Sequence, residues 1–183
     1  MPDSTYHFDF APLKNGSLNI PKAYATFLAE AAAHCLALKQ HSNPVQLSLT
    51  GDLRTAAMLD WGGVIEGATY ADLQEATEYG AYGIALVVAL ALTGITNVER
   101  SAKTTGVDYW LGGERSDDGI FQRAARLEIS GILDGDDSKI ATRMNIKLRQ
   151  TNRSDESLLP AYVAIVEFRT PETRFAKKVK VPR

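Results

Sequence analysis

The chain has 183 residues, 45% hydrophobic and 23% charged, which suits one globular domain with a sizeable core. Lysine and arginine number 20 against 22 acidic residues, a net charge of −2, so any nucleic-acid surface must be local rather than global. The single Cys35 excludes an internal disulfide framework and fits a reducing cytoplasm, and Met1-Pro2-Asp3-Ser4-Thr5 has neither the basic start nor the apolar run of a signal peptide.

Tyr6, Phe8 and Phe10 alternate with His7 and Asp9, which predicts a strand. A turn follows at Lys14-Asn15-Gly16-Ser17. Pro21 suits a helix start, and Tyr24, Phe27, Leu28, Ala31, Cys35 and Leu38 recur at helical spacing, so a helix should run to about His41, before Asn43-Pro44. Val45, Leu47 and Leu49 alternate with polar residues and predict a second strand. Residues 52–68 carry no clear period, apart from a turn at Trp61-Gly62-Gly63. Thr69 with Asp72 forms a capping-box pattern before the longest helix, which should stop at Gly94. Its run Ile84 to Leu92 is wholly apolar but too short to span a bilayer, and reads as a helix buried on all sides. Gly80 and Gly83 weaken it locally, which implies a close backbone contact. Val98 and Arg100 begin a strand that takes in Glu99 and Lys103.

Two strands then carry the chemistry. The first is Gly106 to Leu111; the second is Ala125 to Gly131; the polar loop Gly112 to Gly119 should join them as an antiparallel pair. Alternation puts Asp108 and Trp110 on one face of the first, and Arg126, Glu128 and Ser130 on the outward face of the second. A register that sets Asp108 opposite Glu128 brings two carboxylates together, and such a pair needs a divalent cation or a shared proton. On residues alone the pair reads either as oxygen ligands for Mg²⁺ or as solvated residues of a half-exposed sheet. Asp137 or Ser138 should cap a second helix reaching Gln150, with Ile140, Met144 and Leu148 on one side, and Asp134-Gly135-Asp136-Asp137 is a turn before it. Tyr162 to Phe168 reads as an interior strand. The basic tail Arg174 to Lys180 reads as a solvated edge strand or loose terminus. Three scattered histidines and the lack of Cys-x-x-Cys argue against zinc, and there is no phosphate-binding loop motif.

This order of elements resembles the PD-(D/E)XK nuclease superfamily, the restriction-endonuclease-like fold, over about residues 69–170. That fold runs helix, three antiparallel strands, helix, strand. Its signature is an Asp on the second core strand, Glu-x-Lys on the third and often a Glu on the first helix. Asp108 fits the Asp, Glu128 the Glu, and Glu75 or Glu78 the helical Glu, with Glu78 better placed because it stands nearer the buried half of the helix. The motif lysine is replaced by Ser130. The resemblance implies an α/β fold, a mixed sheet flanked by helices, with residues 1–68 as a strand-helix-strand N-terminal extension, 69–170 as a nuclease-like core and 171–183 as a basic tail.

It further implies Mg²⁺-dependent phosphodiester hydrolysis on DNA in a bacterial restriction, repair or defence setting. Asp108 and Glu128 would be the metal ligands and Glu78 a support. The missing lysine calls for another cation: Arg126 first, since it shares the strand face with Glu128, then Lys103, or Lys139, Arg143 and Lys147 at i, i+4 spacing on the second helix. The alternative is a nuclease-like domain that has lost catalysis and serves as a binding or assembly subunit. Either way the chain has little room for a separate target-recognition domain, so a protein partner or homodimer is expected, and no membrane.

Overall fold

A computed structural model of the protein describes residues 6–16, 18–63, 68–113 and 122–178. Most of the expected polar loop, from residue 114, lies outside these residues, as do the N-terminal five and the end of the basic tail. The described chain forms one mixed sheet covered by helices on both faces. In chain order the elements are β1 (Tyr6–Asp9), the single-turn α1 (Ala11–Lys14), α2 (Lys22–Leu38), β2 (Val45–Gly51), β3 (Thr55–Asp60), α3 (Leu73–Thr93), β4 (Asn97–Arg100), β5 (Tyr109–Gly112), β6 (Arg123–Ile132), α4 (Asp137–Gln150), β7 (Ala161–Glu167) and β8 (Glu172–Lys177). Short 3₁₀ turns cover Ala68–Tyr70 and Thr151–Ser157.

The eight strands lie in the order β1-β3-β2-β8-β7-β6-β5-β4. β4, β5 and β6 are successively antiparallel, and β7 returns through α4 to lie parallel to β6. The N-terminal strands extend the same sheet, because β2 pairs with β8. β8 therefore lies between β7 and β2, which corrects the expectation of an edge strand or loose terminus for residues 174–177. β3 also falls in a stretch without a legible period: four of its six residues, Ala56, Ala57, Met58 and Leu59, are apolar in succession.

Residue parity along β6 sorts the two layers. Ala125, Leu127 and Ile129 join the large core beneath α3, and a Cβ at Gly131 would strike Thr77 of that helix. The other parity faces α4, where Ile132 meets Ile140, Met144, Val163 and Ile165 in a second core. The outward face of β6 is thus not solvated: α4 covers it, and Arg126, Glu128 and Ser130 are all buried.

α3 begins at an Asp72 N-cap whose side chain accepts from the backbone N–H groups of Gln74 and Glu75, so Asp72 itself is the cap and Thr69 belongs to the preceding turn. It ends at Gly94, which takes the left-handed φ of 67° that glycine permits. By length and composition α3 alone among the described helices could cross a bilayer, yet 67% of its most apolar window is buried inside the fold. Gly80 and Gly83 let α2 approach: a Cβ at Gly83 would stand 2.9 Å from the Leu28 carbonyl oxygen. α4 is capped by Asp136, whose carboxylate accepts from Lys139 N–H, one residue before the expected cap.

Candidate functional site

The site lies where β5 parts from β6. Tyr109 pairs with Leu127, and the next step of an antiparallel register sets Asp108 opposite Glu128. The strand is shorter here than its alternation suggests, because Gly106 turns the chain at φ 78° against the end of α4, where a Cβ would strike the Gln150 carbonyl. β4 likewise stops at Arg100, leaving Lys103 exposed in the turn that follows and not on a strand.

Asp108 bridges the parting strands. Its own N–H donates to the Leu127 carbonyl, and its Oδ2 accepts from Ile129 N–H at 2.8 Å, where a strand partner's carbonyl would otherwise serve. The carboxylate therefore lies between the α3 and α4 layers. Oδ1 takes a hydrogen bond from the Tyr82 hydroxyl at 3.0 Å and stands 3.6 Å from Arg100 Nη1.

Glu128 projects toward α4 with a side chain only 1% exposed. Its Oε1 accepts from Lys147 Nζ at 2.5 Å, whereas Oε2 is buried and no N–H or O–H donor reaches it. Burial above all, then the negative charge and hydrogen-bonding oxygen of Asp108, push the Glu128 carboxyl up to about 7, with Lys147 opposing the rise. The two carboxyl groups thus come close enough to compete for a proton, as the strand faces predicted.

Glu78 joins at one remove. It is exposed on α3, but its Oε1 accepts from the Tyr82 hydroxyl at 2.7 Å. One hydroxyl proton is thus offered to two carboxylates, Glu78 and Asp108, and can serve one at a time. Arg100 Nη2 donates to the same oxygen at 3.1 Å, and its guanidinium lies over the rings of Tyr82 and Tyr109, 4.4 and 4.8 Å from their centroids. Burial and Asp108 hold the Tyr82 hydroxyl well above the usual tyrosine range. Glu75 stays exposed in the first turn of α3. Sequence reasoning missed Tyr82 and gave Arg100 no role. The i, i+4 spacing of Glu78 and Tyr82 and the pairing of Arg100 with Tyr109 across β4 and β5 were the available signals.

Among the candidate replacements for the motif lysine, Arg126 is committed elsewhere. It shares the face of Glu128, but its guanidinium turns to Asp155, Ser154 Oγ and the carbonyls of Thr151 and Leu159, and the residue is 2% exposed. Two positions along a strand are about 6.6 Å apart, enough for the 3₁₀ turn after α4 to capture it. This corrects the expectation that Arg126 compensates for the lysine. Lys139 donates to the Asp134 carbonyl. Lys147 reaches Glu128, and Arg143 Nη1 donates to Ser130 Oγ at 2.8 Å, so the helix supplies cations at both positions of the Glu-x-Ser segment.

No group of three or more His, Cys, Asp or Glu converges as a metal cage among the described residues. Mg²⁺ asks for less: one or two carboxylates, completed by water and substrate phosphate. Asp108 and Glu128 fit that demand, with hard oxygen donors and a buried Oε2 that lacks a partner. No family model matches the chain, and no curated protein or solved structure matches it.

Proposed function

We propose that the protein is a Mg²⁺-dependent phosphodiesterase acting on DNA, with a restriction-endonuclease-like core made by α3, β4, β5, β6, α4 and β7. The observation that carries this reading is the Asp108–Glu128 pair at the parting of β5 and β6, with Glu128 buried, Lys147 on its Oε1 and Oε2 without a donor. The antiparallel β4-β5-β6 run followed by a parallel β7 supports it.

Asp108 and Glu128 would hold the metal, which when bound supplies Lewis-acid charge at the phosphoryl oxygen and lowers the pKa of a coordinated water. Ile129 N–H and the Tyr82 hydroxyl hold the Asp108 carboxylate in one orientation. Lys147 takes the role of the motif lysine. Its ammonium, on a flexible four-carbon stem and 18% exposed, can turn from Oε1 to a phosphate oxygen and stabilise charge developing there.

A second reading rests on the same pairs. Lys147 on Glu128 and Arg100 beside Asp108 already neutralise both carboxylates without any metal, as in a domain kept for binding or assembly with a protein partner. One experiment separates the two. Purified protein is incubated with linear, nicked and single-stranded DNA in Mg²⁺ or Mn²⁺, beside Asp108→Ala, while calorimetry follows Mn²⁺ binding. Cleavage and binding that both disappear in Asp108→Ala support the hydrolase. A wild type inert on every DNA form, with metal affinity equal to that of the variant, refutes it and leaves the binding subunit.

A further inference from the structure

Arg143 is a half-buried guanidinium with no carboxylate to neutralise it among the described residues. Its one hydrogen bond is to the neutral Ser130 Oγ, at 2.8 Å. The other cations around it are spoken for: Lys147 by Glu128, Lys139 by the Asp134 carbonyl and Arg126 by Asp155. Arginine offers five N–H donors in a planar fork, so most of this fork is unused. It stands two residues along β6 from the carboxylate pair, about 6.6 Å, and one turn along α4 from Lys147, about 6 Å. A guanidinium held by a neutral hydroxyl beside an acidic pair lacks its anion, and the planar fork matches a phosphate.

We propose that Arg143, steadied by Ser130, binds a backbone phosphate of the DNA strand, near the phosphate presented to Asp108 and Glu128. The inference rests on the DNA-hydrolase reading for its ligand, but binding without cleavage tests it separately. Ser130 then has a function that lysine could not perform: it leaves room for the guanidinium and accepts a hydrogen bond from it.

The test uses fluorescein-labelled 20-nucleotide DNA, single-stranded and duplex, in EDTA so that no cleavage occurs, titrated with the full chain over a series of KCl concentrations. Arg143→Gln should weaken binding about tenfold, the scale of one charge-assisted hydrogen bond, and reduce the slope of log K against log salt by about 0.9 for duplex or 0.7 for single strand. Arg143→Lys should restore the slope but not the full affinity, because an ammonium cannot grip a phosphate with two parallel bonds. Arg149→Gln, an exposed position on the same helix, should change little. Equal affinity and slope for wild type and Arg143→Gln overturns the proposal, as does an equal loss in Arg149→Gln or a wild type that binds neither DNA. Arg143-dependent binding without Mg²⁺-dependent cleavage would keep this inference and sink the hydrolase; cleavage that is lost in Asp108→Ala, with binding indifferent to Arg143, would do the reverse.

Discussion

Replacing Glu128 by glutamine should stabilise the protein above neutral pH. In the unfolded chain this carboxyl titrates near 4.5, whereas burial and Asp108 raise it to about 7 in the fold, even with Lys147 in place. The folded state therefore holds the proton more tightly. Its contribution to stability is fully present below pH 4.5 and is lost as pH rises through about 7. The gap between 4.5 and about 7, at 1.36 kcal/mol per pH unit, corresponds to about 3 kcal/mol of destabilisation once the group is ionised in both states. Glutamine keeps the shape and never ionises. Glu128→Gln should match wild type near pH 4.5 and exceed it by about 3 kcal/mol at pH 8.5, a rise in Tm of about 6–12 °C for a chain of this size. Urea unfolding of both proteins at several pH values from 4.5 to 8.5 measures this. A variant that is less stable at pH 8.5, or a difference that does not change with pH, refutes the account of Glu128 as a charge held against its burial. The proposed metal site, a separate matter, is expected to let Mg²⁺ raise the stability of wild type at pH 8.5 more than that of Glu128→Gln.

Lys147→Met removes the cation from Oε1, but protonation of Glu128 caps the electrostatic cost: with its carboxyl at about 7, about 1 kcal/mol at pH 8 and nothing at pH 5, read by the same urea titrations. Its Mg²⁺-dependent cleavage should fall by about 10²–10³-fold in a single-turnover assay. Tyr82→Phe deletes the hydroxyl shared by Asp108, Glu78 and Arg100, and should cost about 0.5–1.5 kcal/mol in denaturant unfolding while weakening Mn²⁺ binding in calorimetry. Gly83→Ala drives a methyl group against the Leu28 carbonyl and should lower stability by about 1–3 kcal/mol, with the remaining activity per folded molecule unchanged.

Local pattern was enough for much of this. Period-2 alternation put Asp108 and Glu128 in facing positions, and Gly94 marked the end of the longest helix, whereas the Thr69 capping-box pattern set its start three residues before the true cap, Asp72. Glycines at 80 and 83 announced the close approach of α2, since a helix gives up propensity there only for a contact that a Cβ would block. Where local pattern failed, the cause lay in packing. Alternation distinguishes two faces of a strand but says nothing of what covers each, so Glu128 and Ser130 read as solvated although α4 buries them. Besides its hairpin neighbour, each of the strands at 55–60 and 172–177 joins one distant in sequence, β1 and β2 respectively, and that pairing depends on a sheet assembled from both ends of the chain.

Long side chains were the least legible of all. Arg126 and Lys147 both lay within reach of Glu128, and the shared strand face favoured Arg126, whereas the structure puts Lys147 there. A guanidinium follows the nearest cluster of oxygens, which for Arg126 is the 3₁₀ turn after α4, and Lys147 takes Glu128 because the helix delivers it there. The sequence by itself determined which residues share a face and in what order the elements come, because those follow from the two-residue repeat of a strand and the 3.6-residue repeat of a helix. Only the tertiary structure decided which carboxylate is buried, which cation answers it and which half-buried guanidinium lacks a carboxylate among the described residues, because those depend on layers brought together from distant parts of the chain.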